Sequence, residues 1–398
     1  MNQIWFVVSV FCAIFLNSLL AIAIGVNPVT TFAFAPFTLL ITYDIISLKL
    51  RLNVERYKPE LFVMLIGFFL IVLKFIVGQG TDFFKQILLL FVFPALISIY
   101  FEKASIFRIK ILRNVLDLFF VLECLLAIYE RITRSFVLYV PTEEIIHRLG
   151  YQMDWAFRSY AFYTHPLANA MVVAVIMVFV VTSNSTVSKK VIFTVLGFAA
   201  LLCFNARGAT LVSTVTTLPY LISLLYKNTR PKYRGILISF WLVILSSCIY
   251  TILNSDIGGR LVHANELLDG SAKTRLQVFQ FYKFLNIKDL LWGNSNSYLF
   301  LTDKLGAGGV ENGIVVFIID YGLIITPVIL LFLFKFQLKK LGMFPFTERW
   351  LILLVFYLIG IMNPNLAEAL QWTIFVFAYY SYRNVASVKG GKFKYSTS

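Results

Sequence analysis

The sequence predicts an all-α polytopic membrane protein with about 12 transmembrane helices and two long external loops carrying amphipathic, interfacial helices. Three observations predict it. Apolar residues gather in runs of 16 to 22, long enough at 1.5 Å per residue to cross a hydrocarbon core. Only 14% of residues are charged and mean hydropathy is +0.82, where a soluble domain carries about 25% charge. The connections between runs alternate between basic and not.

In chain order the spans are 4–24, 29–48, 61–77, 86–101, 114–129, 167–183, 191–206, 209–226, 236–254, 313–334, 350–361 and 369–382, the last two being short. No basic stretch precedes the first span, and it outruns a signal-peptide core, so Ala21-Ile22-Ala23 reads as helix and the span as a retained anchor. Segments 49–60, 102–113, 184–190, 227–235, 335–349 and the tail after 382 hold 22 of the 35 Lys and Arg. They are every second connection, which places them and both termini in the cytoplasm. Residues 1–398 thus form a single integral-membrane domain. The net charge of +15 sits mostly in these short clusters, the pattern of topology signals and anionic-lipid contact; membrane lipid is an expected partner and nucleic acid is not. Cys12, Cys124, Cys203 and Cys248 lie inside apolar spans without CxxC or His spacing, as buried thiols rather than a metal site or disulfide.

Two external connections, 130–166 and 255–312, are far longer than ordinary loops. The cations of the first are all arginine: Arg131, Arg134, Arg148 and Arg158. In the second, Ser271 is placed to cap a helix running to about Leu291, with Leu276, Phe279 and Leu285 towards lipid or protein. Arginine forks onto phosphate with two parallel bonds. Arg158, Arg207, Arg260 and Arg275 all fall on the external side, and together they would bind an anionic ligand. The plain alternative is that each neutralises a neighbouring carboxylate (Glu143, Glu144, Asp154, Asp256, Glu266 or Asp269) or a lipid headgroup. Arg207 has no carboxylate within twenty residues on either side. Gly208 beside it is free to take positive φ and close the tight turn between spans. Asp44, Lys74, Glu123 and Asp320 lie within or near spans, either as an ion relay or as static pairs such as Asp44 with Lys74. No nucleotide loop, HExxH or GxSxG motif is present, so an enzyme here would draw on an activated substrate.

Four stretches resemble the O-antigen polymerase and O-antigen ligase superfamily of bacterial membrane glycosyltransferases. They are FRSYAFYTHPLANA (157–170), NARGAT (205–210), DGSAKTR with LLWGNSNSYL (269–275 and 290–299), and VENGIVVFIIDYGLI (310–324). The resemblance implies a metal-independent transfer, without cofactor, at the periplasmic face of the bacterial inner (cytoplasmic) membrane. Donor and acceptor would be undecaprenyl-diphosphate-linked oligosaccharides, with a flippase and a chain-length regulator as further partners. By motif, Arg158, Arg207 and Arg275 would contact the diphosphate, with Arg260 near them. Ligases of the superfamily carry His-Asn at the end of the large loop; here Glu311-Asn312 stands there. That departure favours a polymerase, with Glu311 as the candidate for acceptor activation and His165 and Asn312 as further candidates. The rivals are an O-antigen ligase and a flippase or other transporter. Against a transporter, the long loops do not fall at matching places in two halves.

Overall fold

Long apolar stretches without water to serve them must satisfy their backbone N–H and C=O groups internally, which a helix does within one segment. The computed structural model describes residues 2–16, 22, 25, 29–46, 55–76, 82–138, 157–163, 165–228, 235, 239, 277–294, 297–304 and 310–383, and all regular structure among them is helical. The order is α1 (Asn2–Phe11, continued by a π turn Cys12–Leu16), α2 (Val29–Ile46), α3 (Lys58–Ile76), α4 (Asp82–Ile87), a π turn Leu88–Val92, α5 (Phe93–Glu102), α6 (Ile106–Thr133), α7 (Pro166–Thr182), α8 (Val187–Cys203) and α9 (Arg207–Asn228). After the second long loop come α10 (Ile287–Trp292), α11 (Ser297–Lys304), α12 (Gly313–Tyr321), α13 (Ile325–Lys340), α14 (Phe346–Ile361) and α15 (Ala369–Tyr382). Three stretches, Lys58–Ile76, Phe83–Glu102 and Arg207–Lys227, are long and apolar enough to cross a membrane.

Every residue of α7 is buried. It is apolar all round, as a central helix should be, and α6, α8, α9, α14 and α15 pack around it. The outer helices turn apolar side chains outwards: Leu65, Phe69, Val72 and Phe75 of α3 and Leu118 and Leu125 of α6 are all at least half exposed.

The structure departs from the expected elements in four places. The predicted span 313–334 is two helices, because Gly322 takes φ +84° and ends α12 after Tyr321. The helix expected from Ser271 to Leu291 is broken where it is described. A single 3-10 turn covers Phe281–Lys283, and Asn286 starts α10 by accepting the Asp289 N–H at 2.7 Å. Asp44 does not pair with Lys74. Its carboxylate meets Arg108 at 3.4 Å, and Lys74 donates to the carbonyls of Trp292 and Gly293 at 3.4 and 3.3 Å. The reason is geometric. Asp44 ends α2 while Lys74 ends the following antiparallel helix, roughly 24 Å along its axis from Lys58. The fourth departure concerns Gly208 and is described with the site. Span 236–254, Ser271 and Cys248 lie outside the described residues; Cys12, Cys124 and Cys203 are buried free thiols.

One end of the bundle is closed by ions. Lys340 pairs with Glu60, and Glu102 receives Arg383 at 3.1 Å and Arg56 at 3.3 Å. The site lies at the other end.

Candidate functional site

Helix direction decides what gathers at that other end: α6, α8 and α14 finish there, while α7, α9, α12 and α15 begin. The first residues of a helix expose N–H groups with no partner and the positive end of its dipole. An end built from several such starts favours an anion.

Arg158 is held in place by its neighbours. Arg131 Nη1 donates to Phe157 O at 2.6 Å. The Ser159 N–H donates to Cys203 O at 3.1 Å, and its hydroxyl to Ala127 O at 2.7 Å. Glu130 Oε2 accepts the N–H groups of Tyr160 and Ala161 at 2.8 and 3.0 Å, and its Oε1 accepts Val137 N–H at 3.0 Å. Glu123 accepts Phe162 N–H at 3.2 Å, and Asn169 accepts Tyr163 N–H at 3.0 Å. Two carboxylates of α6 and one amide of α7 therefore satisfy a turn that makes no regular structure of its own. Glu123, considered above as a relay, serves here as a fastener. Arg158 Nε is buried without a hydrogen-bond partner among the described residues.

Arg207 is the first residue of α9, on the far side of the turn that Ser159 grips. That turn is closed by Asn205, not by Gly208. Asn205 stands at φ +51°, its N–H donates to Leu202 O at 2.9 Å, and Ala206 N–H reaches Leu201 O at 3.3 Å. This is the six-to-one and five-to-two pairing of a Schellman cap, in which Asn is the usual substitute for Gly. Gly208 lies within α9 and packs on α14: a Cβ there would meet Met362 Sδ at 3.0 Å.

His165 caps α7, its Nδ1 accepting Leu167 N–H at 3.3 Å. The ring keeps accessible surface, yet burial is the main cause that lowers its pKa from 6.5 to about 4, helped by the Arg158 charge and opposed by Glu311. The imidazole is thus neutral at pH 7, occupied at Nδ1 and a donor at Nε2. Through it the structure relates three predicted site residues: Arg158, His165 and Glu311.

Asn312 proves to be a helix cap. Its Oδ1 accepts Ile314 and Val315 N–H at 3.0 and 3.1 Å, which accounts for its burial and places Glu311 just ahead of α12. Gly313 seats that helix start: a Cβ would stand 2.5 Å from Gly360 O and 2.6 Å from Leu366 Cβ. The α14–α15 turn therefore touches α9 through Met362 and α12 through Gly360 and Leu366, joining the starts of α9 and α12 at one place. Arg260, Arg275, His147 and His263 lie outside the described residues.

Two residues that sequence reasoning passed over belong to this end. Glu368, at the start of α15, is raised above the usual carboxylate range by burial, with a Gln371 hydrogen bond opposing. Tyr298 of α11 is raised by burial and by the charges of Asp320, Glu368 and Glu311, with its hydroxyl accepting Val310 N–H at 3.3 Å. The available signal was a lone acid in the short NPNLAEALQW connection between two apolar runs. Among the described residues no three His, Cys, Asp or Glu side chains group as a metal site would. The site has a basic half, Arg158 in the irregular turn before α7 and Arg207 at the start of α9, and an acidic half, Glu311 and Glu368. It can hold an anion beside a group that loses a proton.

No protein-family model and no curated protein sequence matches the chain. What fold and site define is an all-helical protein with helices able to cross a membrane and charged side chains of both signs at one end of its bundle.

Proposed function

We propose that the protein is an integral membrane glycosyltransferase, an O-antigen-type polysaccharide polymerase. It joins undecaprenyl-diphosphate-linked repeat units at the periplasmic face of the bacterial inner membrane. The observation that carries this reading is that the Arg158 turn is tied through Ser159 to the turn leading into Arg207 at the start of α9, while the charges of Arg158 and Glu311 both act on His165. The outward apolar side chains of α3 and α6 support a membrane setting. So does the alternation of basic connections, which gives twelve spans with both termini cytoplasmic.

In this reaction an acceptor hydroxyl attacks the anomeric carbon of the donor glycan, and the carbon–oxygen bond to the diphosphate breaks. Charge develops on the leaving diphosphate. Guanidinium groups fixed beforehand stabilise it without reorganising at the moment of reaction, an effect worth about 10²–10³ in rate per donor group. The fastening of Arg158 by Glu130, Ser159 and Arg131 is the positioning that this requires. A carboxylate at the same end takes the hydroxyl proton, and Glu311 is one such carboxylate. Arg260 and Arg275, from the second loop, complete the anion site in this reading.

A ligase uses the same donor chemistry with a different acceptor. The neutral, capping His165 makes a poor base, and Glu311-Asn312 replaces the ligase His-Asn, so polymerisation is favoured. The test is complementation of the deleted gene with Arg158→Ala, Arg207→Ala or Arg275→Ala, followed by gel analysis of the surface polysaccharide. A polymerase defect leaves core plus one repeat unit. A ligase defect leaves long chains on the lipid carrier and no capped core, and a flippase defect loses both. A normal ladder in all three variants, with protein present in the membrane, overturns the reading.

A further inference from the structure

Glu368 of the acidic half is carried by the α14–α15 turn, and this turn is internally hydrogen-bonded. Glu368 N–H donates to Asn365 O at 3.1 Å, and Trp372 Nε1 donates to Leu366 O at 2.8 Å. Its side chains are polar and under-used. Asn365 is fully buried with neither Oδ1 nor Nδ2 hydrogen-bonded among the described residues, and Gln371 Oε1 is in the same condition. Buried amides without partners are costly and call for an explanation. Gln371 Nε2 lies 3.5 Å from Glu368 Oε2. Tyr298 brings a phenol into the field of Glu368, Glu311 and Asp320. A phenol, two amides and a carboxylate are the groups that pair with sugar hydroxyls, just as arginines pair with diphosphate.

The two carboxylates differ. Glu311 acts on His165 against the charge of Arg158, so it serves the basic half as a counter-charge. Glu368 is acted on by burial and by Gln371 alone among the described residues, and burial raises its proton affinity above that of an ordinary carboxylate. It also keeps accessible surface.

We propose that Tyr298, Asn365, Glu368 and Gln371 form the acceptor subsite for a sugar hydroxyl, and that Glu368, not Glu311, is the catalytic residue that receives its proton. This rests on the glycosyl-transfer reading above. The hydroxyl oxygen forms the new bond to the anomeric carbon, the bond to the diphosphate oxygen breaks with its electron pair leaving on the diphosphate, and the proton passes to Glu368 and then to solvent. His165, Glu311, Asp320 and Tyr298 are the titrating groups around that transfer.

The experiment uses Glu368→Gln, Glu368→Asp, Glu311→Gln and Arg207→Ala, each expressed as the full chain. Two quantities are read: the polysaccharide ladder in the deletion strain, and the dissociation constant of undecaprenyl diphosphate for the purified protein in nanodiscs. The expected result is that Glu368→Gln abolishes the ladder while undecaprenyl diphosphate binds within twofold of wild type, and that Glu368→Asp restores part of the ladder. Glu311→Gln should keep a shortened ladder. A full ladder with Glu368→Gln, or an absent one with Glu311→Gln alone, overturns the assignment. So does loss of Glu368→Gln from the membrane together with no rescue by Glu368→Asp, because the residue is then structural. If Arg207→Ala leaves undecaprenyl diphosphate binding unchanged, the glycosyl-transfer reading itself fails, and the two failures are told apart.

Discussion

Gly293 and Gly322 meet backbone to backbone: a Cβ on Gly293 would stand 2.5 Å from Gly322 N, and both residues have positive φ, +76° and +84°. Around them Leu323 N–H donates to Leu290 O at 2.9 Å and Asn294 N–H to Ile319 O at 2.7 Å. Two stretches far apart in sequence, LLWGNSNSYL and VENGIVVFIIDYGLI, are thereby strapped together, and Lys74 donates to the carbonyls of Trp292 and Gly293 from below. The strap fixes α10 against the break between α12 and α13.

The strap predicts a graded set of glycine substitutions. Gly322→Ala and Gly293→Ala must each take an extended positive-φ conformation that costs an L-residue roughly 1–3 kcal/mol, and must also push backbone aside. Each should lower the thermal midpoint of the detergent-purified protein by several degrees. Gly342→Ala is the control, since a Cβ there meets nothing within 4 Å; its midpoint should not move.

Glu130 predicts a second effect, on stability and binding together. It accepts three backbone N–H groups and is fully buried. Glu130→Ala strands those donors, at a cost of about 3 kcal/mol or more. Arg158 loses its support, so undecaprenyl diphosphate should bind about tenfold more weakly in nanodiscs even at temperatures where the protein remains folded. A variant that is destabilised but binds normally would separate Arg158 from the fastening that holds it.

These fasteners explain what sequence could and could not reveal. The helices were legible because apolar runs and basic connections are local patterns, and Arg158, Arg207 and Glu311 stood out as residue types at loop ends. The break at Gly322 was not legible: its cause is the neighbouring Gly293 backbone, nearly thirty positions away in sequence. The Asp44–Lys74 pairing failed because neighbouring places in the chain say nothing of height along the helices, and Arg108 meets Asp44 instead. Gly208 drew attention as the glycine of a turn whose left-handed residue is Asn205. Glu368 was missed because a single acid in a short connection carries no pattern; only packing brings it to Tyr298.

His165 predicts a pH dependence with a definite sign. Its folded pKa, about 4, lies below the ordinary 6.5. Between those values the unfolded chain binds more protons than the folded one, so stability rises with pH there. The contribution is fully present above pH 6.5, falls away as pH drops towards 4, and changes no further below. His165→Asn keeps a side chain that caps α7 but does not titrate. Subtracting its thermal midpoint from wild type at each pH should give a difference that shrinks from pH 6.5 to 4. A flat difference would mean that the imidazole stays as exposed as in a free peptide.

The last prediction separates charge from shape at the basic half. Arginine and lysine attract an anion alike at long range, but only the planar guanidinium forks onto two phosphate oxygens. Arg207→Lys should therefore keep the salt dependence of undecaprenyl diphosphate binding while weakening it several-fold. Arg207→Ala should weaken it by about 10- to 100-fold, the range for a charge-assisted hydrogen bond of 1.5–3 kcal/mol, and flatten the salt dependence. Arg158 and Arg207 are tied through the Ser159–Cys203 hydrogen bond at 3.1 Å, so their effects should couple. The double Ala variant should then lose less than the product of the two single losses. Strictly multiplicative losses would show that the two arginines act without coupling, and an Arg158→Ala that leaves undecaprenyl diphosphate binding unchanged would take Arg158 out of the diphosphate site.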